Sequence, residues 1–176
     1  RGKDRAPRLF AADNGDFFGS FLRYSDDFGQ TWTTPEQGIA FTEGSGLALK
    51  NIWTIVPGRA DAPDTVYAGV DPATLWVSED RGASWKINEG LFSHPTRDQW
   101  NPGAGGLCLH TILIDPNNKS RMWVGISAVG VFRTTDGGAS WKPCNNGLAS
   151  LPTGSEEPQA VFCVHKIVLD PRNSDT

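Results

Sequence analysis

The sequence has few cysteines, no long apolar run and little concentrated positive charge. Its three cysteines, Cys108, Cys144 and Cys163, are odd in number and supply no disulfide framework. The apolar runs fall short of the roughly 18 residues that a membrane-spanning helix needs. The 16 lysines and arginines are outnumbered by 20 acidic residues, and only residues 1–8 hold a basic cluster. We therefore expect no membrane span and no nucleic-acid partner, because phosphate binding needs clustered cations.

The sequence also lacks the pattern of a long amphipathic helix and a recognisable signal peptide, so the compartment is left unassigned. We expect no cofactor. The 20 glycines, 12 prolines and 7 tryptophans instead favour many short strands joined by turns.

One eight-residue pattern occurs three times, at 25–32, 78–85 and 134–141, as Ser/Thr-x-Asp-x-Gly-x-Ser/Thr-Trp without a mismatch. The matched positions are Ser25, Asp27, Gly29, Thr31, Trp32, Ser78, Asp80, Gly82, Ser84, Trp85, Thr134, Asp136, Gly138, Ser140 and Trp141. Aspartate and hydroxyl side chains accept backbone N–H bonds within their own turn, and glycine supplies a positive φ. Tryptophan anchors the next strand in a core. We therefore interpret these residues as structural and their aspartates as non-catalytic.

The pattern resembles the Asp-box, or bacterial neuraminidase repeat (BNR), of sialidases, xyloglucan-active glycoside hydrolases, sortilin-like receptors and plant photosystem-assembly factors. In those families the box closes the turn between the third and fourth strands of a β-propeller blade, away from the active face. The whole chain is similar to bacterial repeat proteins labelled sialidase-like or glycosyl-hydrolase-like, within the WD40/YVTN/BNR-like superfamily. The likeness lies in residues 57–61, 65–69, 105–112 and 164–168, and it implies a single propeller longer than this chain.

The three patterns are regularly spaced, with 53 residues from Trp32 to Trp85 and 56 from Trp85 to Trp141. A near-constant period of this size is typical of propeller blades. Four short strands are predicted in each full unit, at 52–56, 65–70, 74–78 and 85–88 and again at 109–116, 121–126, 130–134 and 141–144. The predicted fold is an all-β propeller of four-stranded antiparallel blades.

The chain as a whole, 1–176, is predicted to be an incomplete propeller of about three blade-equivalents. Residues 8–50 supply strands two to four of the first blade, 51–107 and 108–162 supply the second and third blades, and 163–176 supply the first strand of a fourth. Because closed propellers have about 4–8 blades, we interpret the chain as part of a larger ring. The alternative is a half-ring that closes with an identical chain.

Function is expected on the long loops before each first strand, at 33–51, 88–107 and 145–162, because loops of this length are uncommon unless functional. The middle loop holds His94, Arg97 and Trp100, with the indole expected to be exposed. A cation, an imidazole and an indole on one loop suit a polar ligand, and indole faces often stack on sugars.

A Cys-x-His pair recurs at the same repeat position, at 108–110 and 163–165. Residues two apart in a strand point the same way, and Trp53 takes the histidine position in the second unit. If the first strands line a central channel, Trp53, His110 and His165 form an arc at its mouth. The alternatives are that these histidines are structural residues repeated by duplication, or that the pairs form a Cys₂His₂ site. We assign no metal, since zinc ligands usually lie on short knuckles.

Glycoside hydrolysis is the activity that the resemblance suggests, with two carboxylates or, in sialidases, a tyrosine nucleophile. Tyr24 and Tyr67 lie in predicted strands and do not suit that role. The Phe-Arg-Ile-Pro-like motif that carries the first substrate-binding arginine of sialidases is absent. The loop carboxylates that remain as acid or base candidates are Glu36, Glu43, Asp98, Glu156 and Glu157.

Two functions therefore stay open. The first is a propeller that binds a glycan or a protein on its loop face without catalysis. The alternative is a sialidase- or xyloglucanase-like glycoside hydrolase whose remaining catalytic residues lie outside this chain.

Overall fold

The computed structural model describes residues 6–15, 19–148 and 162–170, and their secondary structure is almost entirely β. The strands are β1 (Leu9–Gly15), β2 (Gly19–Ser25), β3 (Asn51–Pro57), β4 (Val66–Asp71), β5 (Thr74–Ser78), β6 (Lys86–Ile87), β7 (Leu109–Ile114), β8 (Met122–Ile126), β9 (Gly130–Thr134) and β10 (Lys142–Pro143). Between β6 and β7 lie a short helix, α1 (Glu89–Phe92), and a 3₁₀ turn at Arg97–Gln99. No helix among these residues is long and apolar enough to cross a membrane.

The strands form three antiparallel sheets in which neighbours in sequence are also hydrogen-bonded neighbours. The first sheet pairs β1 with β2, the second has the order β3-β4-β5-β6, and the third runs from β7 through β8 and β9 to β10. The second and third sheets confirm the predicted order of four strands per unit, with small shifts at the strand ends. In the first sheet a single bridge from Tyr24 to Thr33 stands where the fourth strand pairs.

The strand predicted from residue 163 onward is not found in the part of it that the structure describes. Residues 162–170 contain no strand, and 171–176 lie outside the described residues. A strand is defined by hydrogen bonds to a neighbouring strand, and the described ranges offer no further strand for pairing. The segment instead lies against β7, where the Val164 carbonyl accepts a hydrogen bond from His110.

The three repeated patterns, which we call the first, second and third turn motifs, share one hydrogen-bond network. In the second, the Ser78 hydroxyl donates to Asp80 and accepts from the Gly82 amide, both at 2.7 Å. Asp80 accepts from the amide and the hydroxyl of Ser84 at 2.9 and 2.6 Å. The same four bonds recur in the other two motifs at 2.5–2.9 Å. These side chains are therefore engaged within their own turns, which supports a structural role.

The aspartates of the turn motifs are held in the ionised form. Hydrogen bonds from Ser25 and then Thr31 lower the pKa of Asp27 to about 2. At Asp80 desolvation acts in the opposite direction, yet the hydrogen bonds from Ser84 still lower the pKa to about 2. Because an ionised acceptor strengthens N–H and O–H hydrogen bonds, the charge reinforces each turn.

The turn motif also has a backbone requirement that the sequence pattern does not contain. Phe28 and Arg81, one residue before the fixed glycine, have φ values of 60° and 62°. This left-handed conformation costs an ordinary residue about 1–2 kcal/mol. The third motif has Gly137 at the same place, with φ of 75°. Each motif thus contains two successive left-handed residues, and only the second is always glycine.

Two hydrophobic cores fill the gaps between the three sheets. One joins Leu22 of the first sheet to Val66 and Trp85 of the second. The other joins Leu75 of the second sheet to Phe132 and Trp141 of the third. Trp85 and Trp141 are 7% and 4% exposed, so the second and third turn motifs each place their indole in a core.

Trp32 of the first turn motif differs, because 41% of its surface is exposed. The first sheet covers the second turn motif. Its Phe10 ring lies so close to Gly82 that a Cβ on this glycine would be 2.6 Å from the ring. Trp32 instead lies on the outer side of the first sheet. Leu9, which like Trp32 lies close to Gly29, is also exposed on that side.

We expect the two tryptophans to contribute very differently to stability. Trp85→Ala removes a buried indole and should lower the free energy of unfolding by about 3–5 kcal/mol. Trp32→Ala should cost about 1 kcal/mol or less, because much of its surface is already in water. Urea denaturation followed by circular dichroism measures both values. Equal losses would contradict the packing described here.

Candidate functional site

The antiparallel order of the sheets separates two ends of the molecule. Successive strands alternate in direction, so the turn motifs lie at one end of the second and third sheets. The β4–β5 turn lies at the opposite end, which we call the loop face. The loop at 88–107 starts beside the third turn motif and reaches the loop face at Arg97, which donates to the Ala73 carbonyl of the β4–β5 turn. Both β3, which carries Trp53, and β7, which carries His110, begin at this end.

The loop at 88–107 is folded, since it contains α1 and the 3₁₀ turn at Arg97–Gln99. Asn88 caps α1, since its side chain accepts a hydrogen bond from the Leu91 amide at 3.0 Å. The same side chain donates to the Gly138 carbonyl at 3.0 Å, which ties the loop to the third turn motif. Leu91 is fully buried. The loop therefore closes the core between the second and third sheets.

His94 and Trp100 belong to this core. Both rings lie against Phe132, with centroid distances of 5.0 and 5.1 Å. The Thr96 hydroxyl accepts from the Trp100 indole at 3.0 Å and lies 2.9 Å from His94 Nδ1. Burial lowers the pKa of His94, against an opposing backbone hydrogen bond with Trp141. The expectation that Trp100 is exposed is wrong, because only 6% of its surface is accessible.

Arg97 anchors the same loop to the second sheet. Its guanidinium donates to the Ala73 carbonyl and lies over the Trp100 ring, 4.7 Å from the centroid. Burial lowers the pKa of Arg97. The guanidinium and the indole thus make their contacts inside the fold. The structure places His94, Arg97 and Trp100 together as a packing unit.

His110 is half-buried and uses both ring nitrogens. Nε2 donates to the Val164 carbonyl at 2.8 Å, which leaves Nδ1 as the acceptor for the Thr111 hydroxyl at 2.9 Å. Burial lowers the pKa of His110, against the opposing effect of the Val164 hydrogen bond. The neutral ring therefore fastens the segment that carries His165 to β7.

Trp53 and His165 are the predicted site residues that stay accessible. Trp53 exposes 50% of its surface near the start of β3. His165 is also exposed, and its Nε2 lies 3.4 Å from the Cys163 sulfur. Since His110 holds the 162–170 segment, it brings His165 to the start of β7. The structure thus joins the two histidines and leaves the His94 unit in the core.

The two Cys-x-His pairs have different surroundings. The Cys108 thiol is buried against Asp71 at 3.7 Å and the Gly105 carbonyl at 3.3 Å, whereas Cys163 contacts His165. No cluster of three or more His, Cys, Asp or Glu side chains able to hold a metal occurs in the described ranges.

The remaining residues considered for catalysis are two tyrosines and five loop carboxylates. Tyr67 is in β4, and burial raises its pKa. Tyr24 is in β2 beneath the Arg8 guanidinium, 3.8 Å from the ring centroid. The exposed loop carboxylates are Glu36, Glu43 and Asp98, while Glu156 and Glu157 lie outside the described residues.

A cleft of about 450 Å³ opens on the loop face beside the loop at 33–51. Its walls include Phe21, Phe41 and Leu49 and no charged side chain. Sequence reasoning missed this cleft because its residues are ordinary apolar residues without a motif or spacing that marks a site. A larger cleft, of about 700 Å³, lies at the other end, between the second and third turn motifs.

Comparisons with known proteins identify the fold. No protein-family model matches the chain, and no curated protein matches it in sequence. A GH74 xyloglucanase from Xanthomonas campestris superimposes with a TM-score of 0.52 at 18% identity, over 77% of this chain and 21% of its own. An ancestral GH74 enzyme gives the same TM-score at 14% identity, over 79% and 16%. YCF48 from Cyanidioschyzon merolae gives 0.43 at 12% identity, over 78% and 40%.

The chain therefore spans less than a quarter of the length of either GH74 enzyme. Likeness at such low identity shows the fold alone. Together with the three antiparallel sheets, it shows that this is a nearly all-β chain of the β-propeller type.

The two histidines of the loop face should respond differently to truncation. His110→Ala removes the donor to the partly buried Val164 carbonyl and should lower the free energy of unfolding by about 1–3 kcal/mol. His165→Ala should change it by less than about 0.5 kcal/mol, because the ring is exposed. Urea denaturation at pH 8 makes the comparison. A larger loss for His165→Ala would contradict the contacts described here.

Proposed function

We propose that this chain is part of a larger β-propeller whose loop face binds a ligand. Residues 8–50, 51–107 and 108–162 correspond to successive blades, the first of them without its first strand, and 163–176 begin a fourth. The second and third sheets support this division, since each has the four sequential antiparallel strands of a blade.

The outer side of the first sheet supports the larger ring. Leu9 and Trp32 are exposed there, while Val66 and Trp85 are buried at the equivalent positions of the second sheet. A further blade would cover them in the way that the first sheet covers Trp85. In a longer chain with more repeats, Trp32→Ala should then cost as much stability as Trp85→Ala. An unchanged small cost would count against ring closure at this side.

The exposed Trp53 carries the proposal of a ligand site. Trp53 lies at a β-bulge near the start of β3, where the pairing with β4 shifts between Ile52 and Thr54, and half of its surface faces water. Bulges often redirect a side chain next to a functional site. Aromatic side chains presented in this way are typical of recognition surfaces. His165 supplies an exposed polar group on the same loop face, with His110 as its support.

The chemistry of this face suits a neutral glycan or a protein segment. Trp53 offers an apolar ring, His165 offers hydrogen bonds, and the nearby 450 Å³ cleft contains no charged side chain. Arg97 is engaged with Ala73 and Trp100, so it is not placed to bind a substrate carboxylate. These features favour an uncharged ligand over a sialic acid.

A titration of the protein with neutral and sialylated oligosaccharides tests this site by tryptophan fluorescence. We expect saturable binding of a neutral member and an affinity at least about tenfold weaker in Trp53→Ala, the equivalent of about 1.4 kcal/mol. Trp32→Ala is the matched control, because it removes a similarly exposed indole at the other end of the molecule. Equal weakening by both substitutions, or no binding at all, would reject a glycan site at Trp53. A protein partner that binds Trp32→Ala but does not bind Trp53→Ala would support a protein segment as the ligand.

A glycoside hydrolase is the second candidate, favoured by exposed carboxylates on the loop face, among them Asp98. Two such groups flanking a glycosidic bond are the usual requirement. We expect a longer form of the protein to cleave xyloglucan or an aryl glycoside only if other blades complete the pair. Reducing-sugar release from a panel of these substrates measures it, with Asp98→Asn as the variant. Absence of turnover on the whole panel would reject this candidate.

A further inference from the structure

Asp71 is a buried carboxylate with too few partners. It ends β4 at the loop face and exposes only 4% of its surface. Its Oδ2 lies 3.7 Å from the Cys108 sulfur, whose single proton has the Gly105 carbonyl closer, at 3.3 Å, and its Oδ1 has no partner among the described residues. Asp115, by contrast, is fully buried but accepts from two backbone amides and from Arg121. Burial of an ionised carboxylate without such donors is unfavourable.

The equivalent position of the first sheet holds an amide. Asn14 follows Leu9 by five residues, as Asp71 follows Val66. Asn14 accepts from the Ile52 amide at 3.1 Å and donates to the Ile52 carbonyl at 3.5 Å, so it links the first sheet to the first strand of the second. A carboxyl group matches an amide in donating as well as accepting only when it is protonated.

Asp71 occupies the corresponding gap between the second and third sheets. A Cβ added to Gly106 would lie 2.6 Å from Asp71 Oδ2, so the loop before β7 closes directly over the carboxyl group. Cys108 follows in the same loop, two residues before His110. The geometry therefore couples the state of Asp71 to the position of the start of β7.

Two titratable groups act on Asp71 from the elements around it. Burial raises the pKa of Asp71, and Lys50 before β3 and the Cys108 hydrogen bond offset part of the effect. Burial and the Asp71 charge raise the pKa of Cys108 to about 12, so the thiol remains a neutral donor. The more acidic proton of this contact is thus that of Asp71.

We propose that the contact between Asp71 and the Cys108 loop is a proton-dependent clamp between the second and third sheets, closed with a protonated Asp71 and loosened when it ionises. A raised folded-state pKa means that the folded protein holds this proton more tightly than the unfolded chain. The stabilising contribution is complete below the ordinary aspartate pKa of about 3.9 and is lost as the pH rises through the folded-state value. The loop face consequently becomes more open at higher pH.

Asp71→Asn tests the clamp, because it keeps the shape and removes the charge. We expect its urea midpoint to exceed that of the unsubstituted protein at pH 7.5, and the difference to shrink at pH 4.5. His94 and His110 titrate in both proteins and cancel in the comparison. Asp13→Asn is the matched control, since Asp13 is exposed in β1 and should show no such pH-dependent gain. A midpoint lowered by Asp71→Asn at pH 7.5, or an equal change at both pH values, would overturn the clamp.

Hydrogen exchange of the unsubstituted protein gives an independent measurement. After correction for the intrinsic pH dependence, exchange in residues 105–111 should accelerate between pH 4.5 and pH 7.5 relative to the β4–β5 sheet interior. In Asp71→Asn this acceleration should disappear. Corrected exchange that is independent of pH in the unsubstituted protein would overturn the proposal even if the variant fails to fold.

Discussion

The packing of a turn-motif tryptophan against the preceding sheet is the interaction on which this structure depends. Trp85 lies in the core shared with the first sheet, and Trp141 lies in the core shared with the second. The Trp141 indole also donates to Asn88, which belongs to the preceding unit, at 2.9 Å. A single sheet has two apolar faces and cannot bury both alone, so each unit is stable only beside its neighbours. The exposed Trp32 shows the same requirement on the outer side of the first sheet.

The two ends of the molecule differ in how their polar side chains are used. At one end, Ser/Thr, Asp and Gly saturate one another within the turn motifs, and their side chains leave little chemistry for a ligand. At the other end, exposed Trp53 and His165 face water, and Asp71 is buried without a full set of partners. Trp53, His165 and the incompletely bonded Asp71 therefore all lie on the loop face, as does the proposed clamp between sheets.

The strands were predictable because their signals are local. The strands at 74–78 and 130–134 were placed correctly because each is a short run that leads directly into a turn motif. The fold of the loop at 88–107 was not predictable, because Leu91, His94 and Trp100 are buried in the core shared with the third sheet, which lies later in the chain. The same remote packing explains why Trp100 was wrongly expected to be exposed. The sequence of a loop does not show which of its side chains a later sheet will bury.

The sequence by itself determined the repeat, the three turns and the antiparallel β architecture, because each turn motif satisfies its own hydrogen bonds within eight residues. The tertiary structure decided which copies of a repeated residue are buried. Trp32 and Trp85 occupy identical positions in identical motifs, and only the presence of a preceding sheet places one in a core. His110 and His165 likewise share a pattern, but His110 is fixed by the Val164 carbonyl while His165 is exposed. Burial is a property of the neighbours that a residue meets, and those neighbours lie far away in the chain.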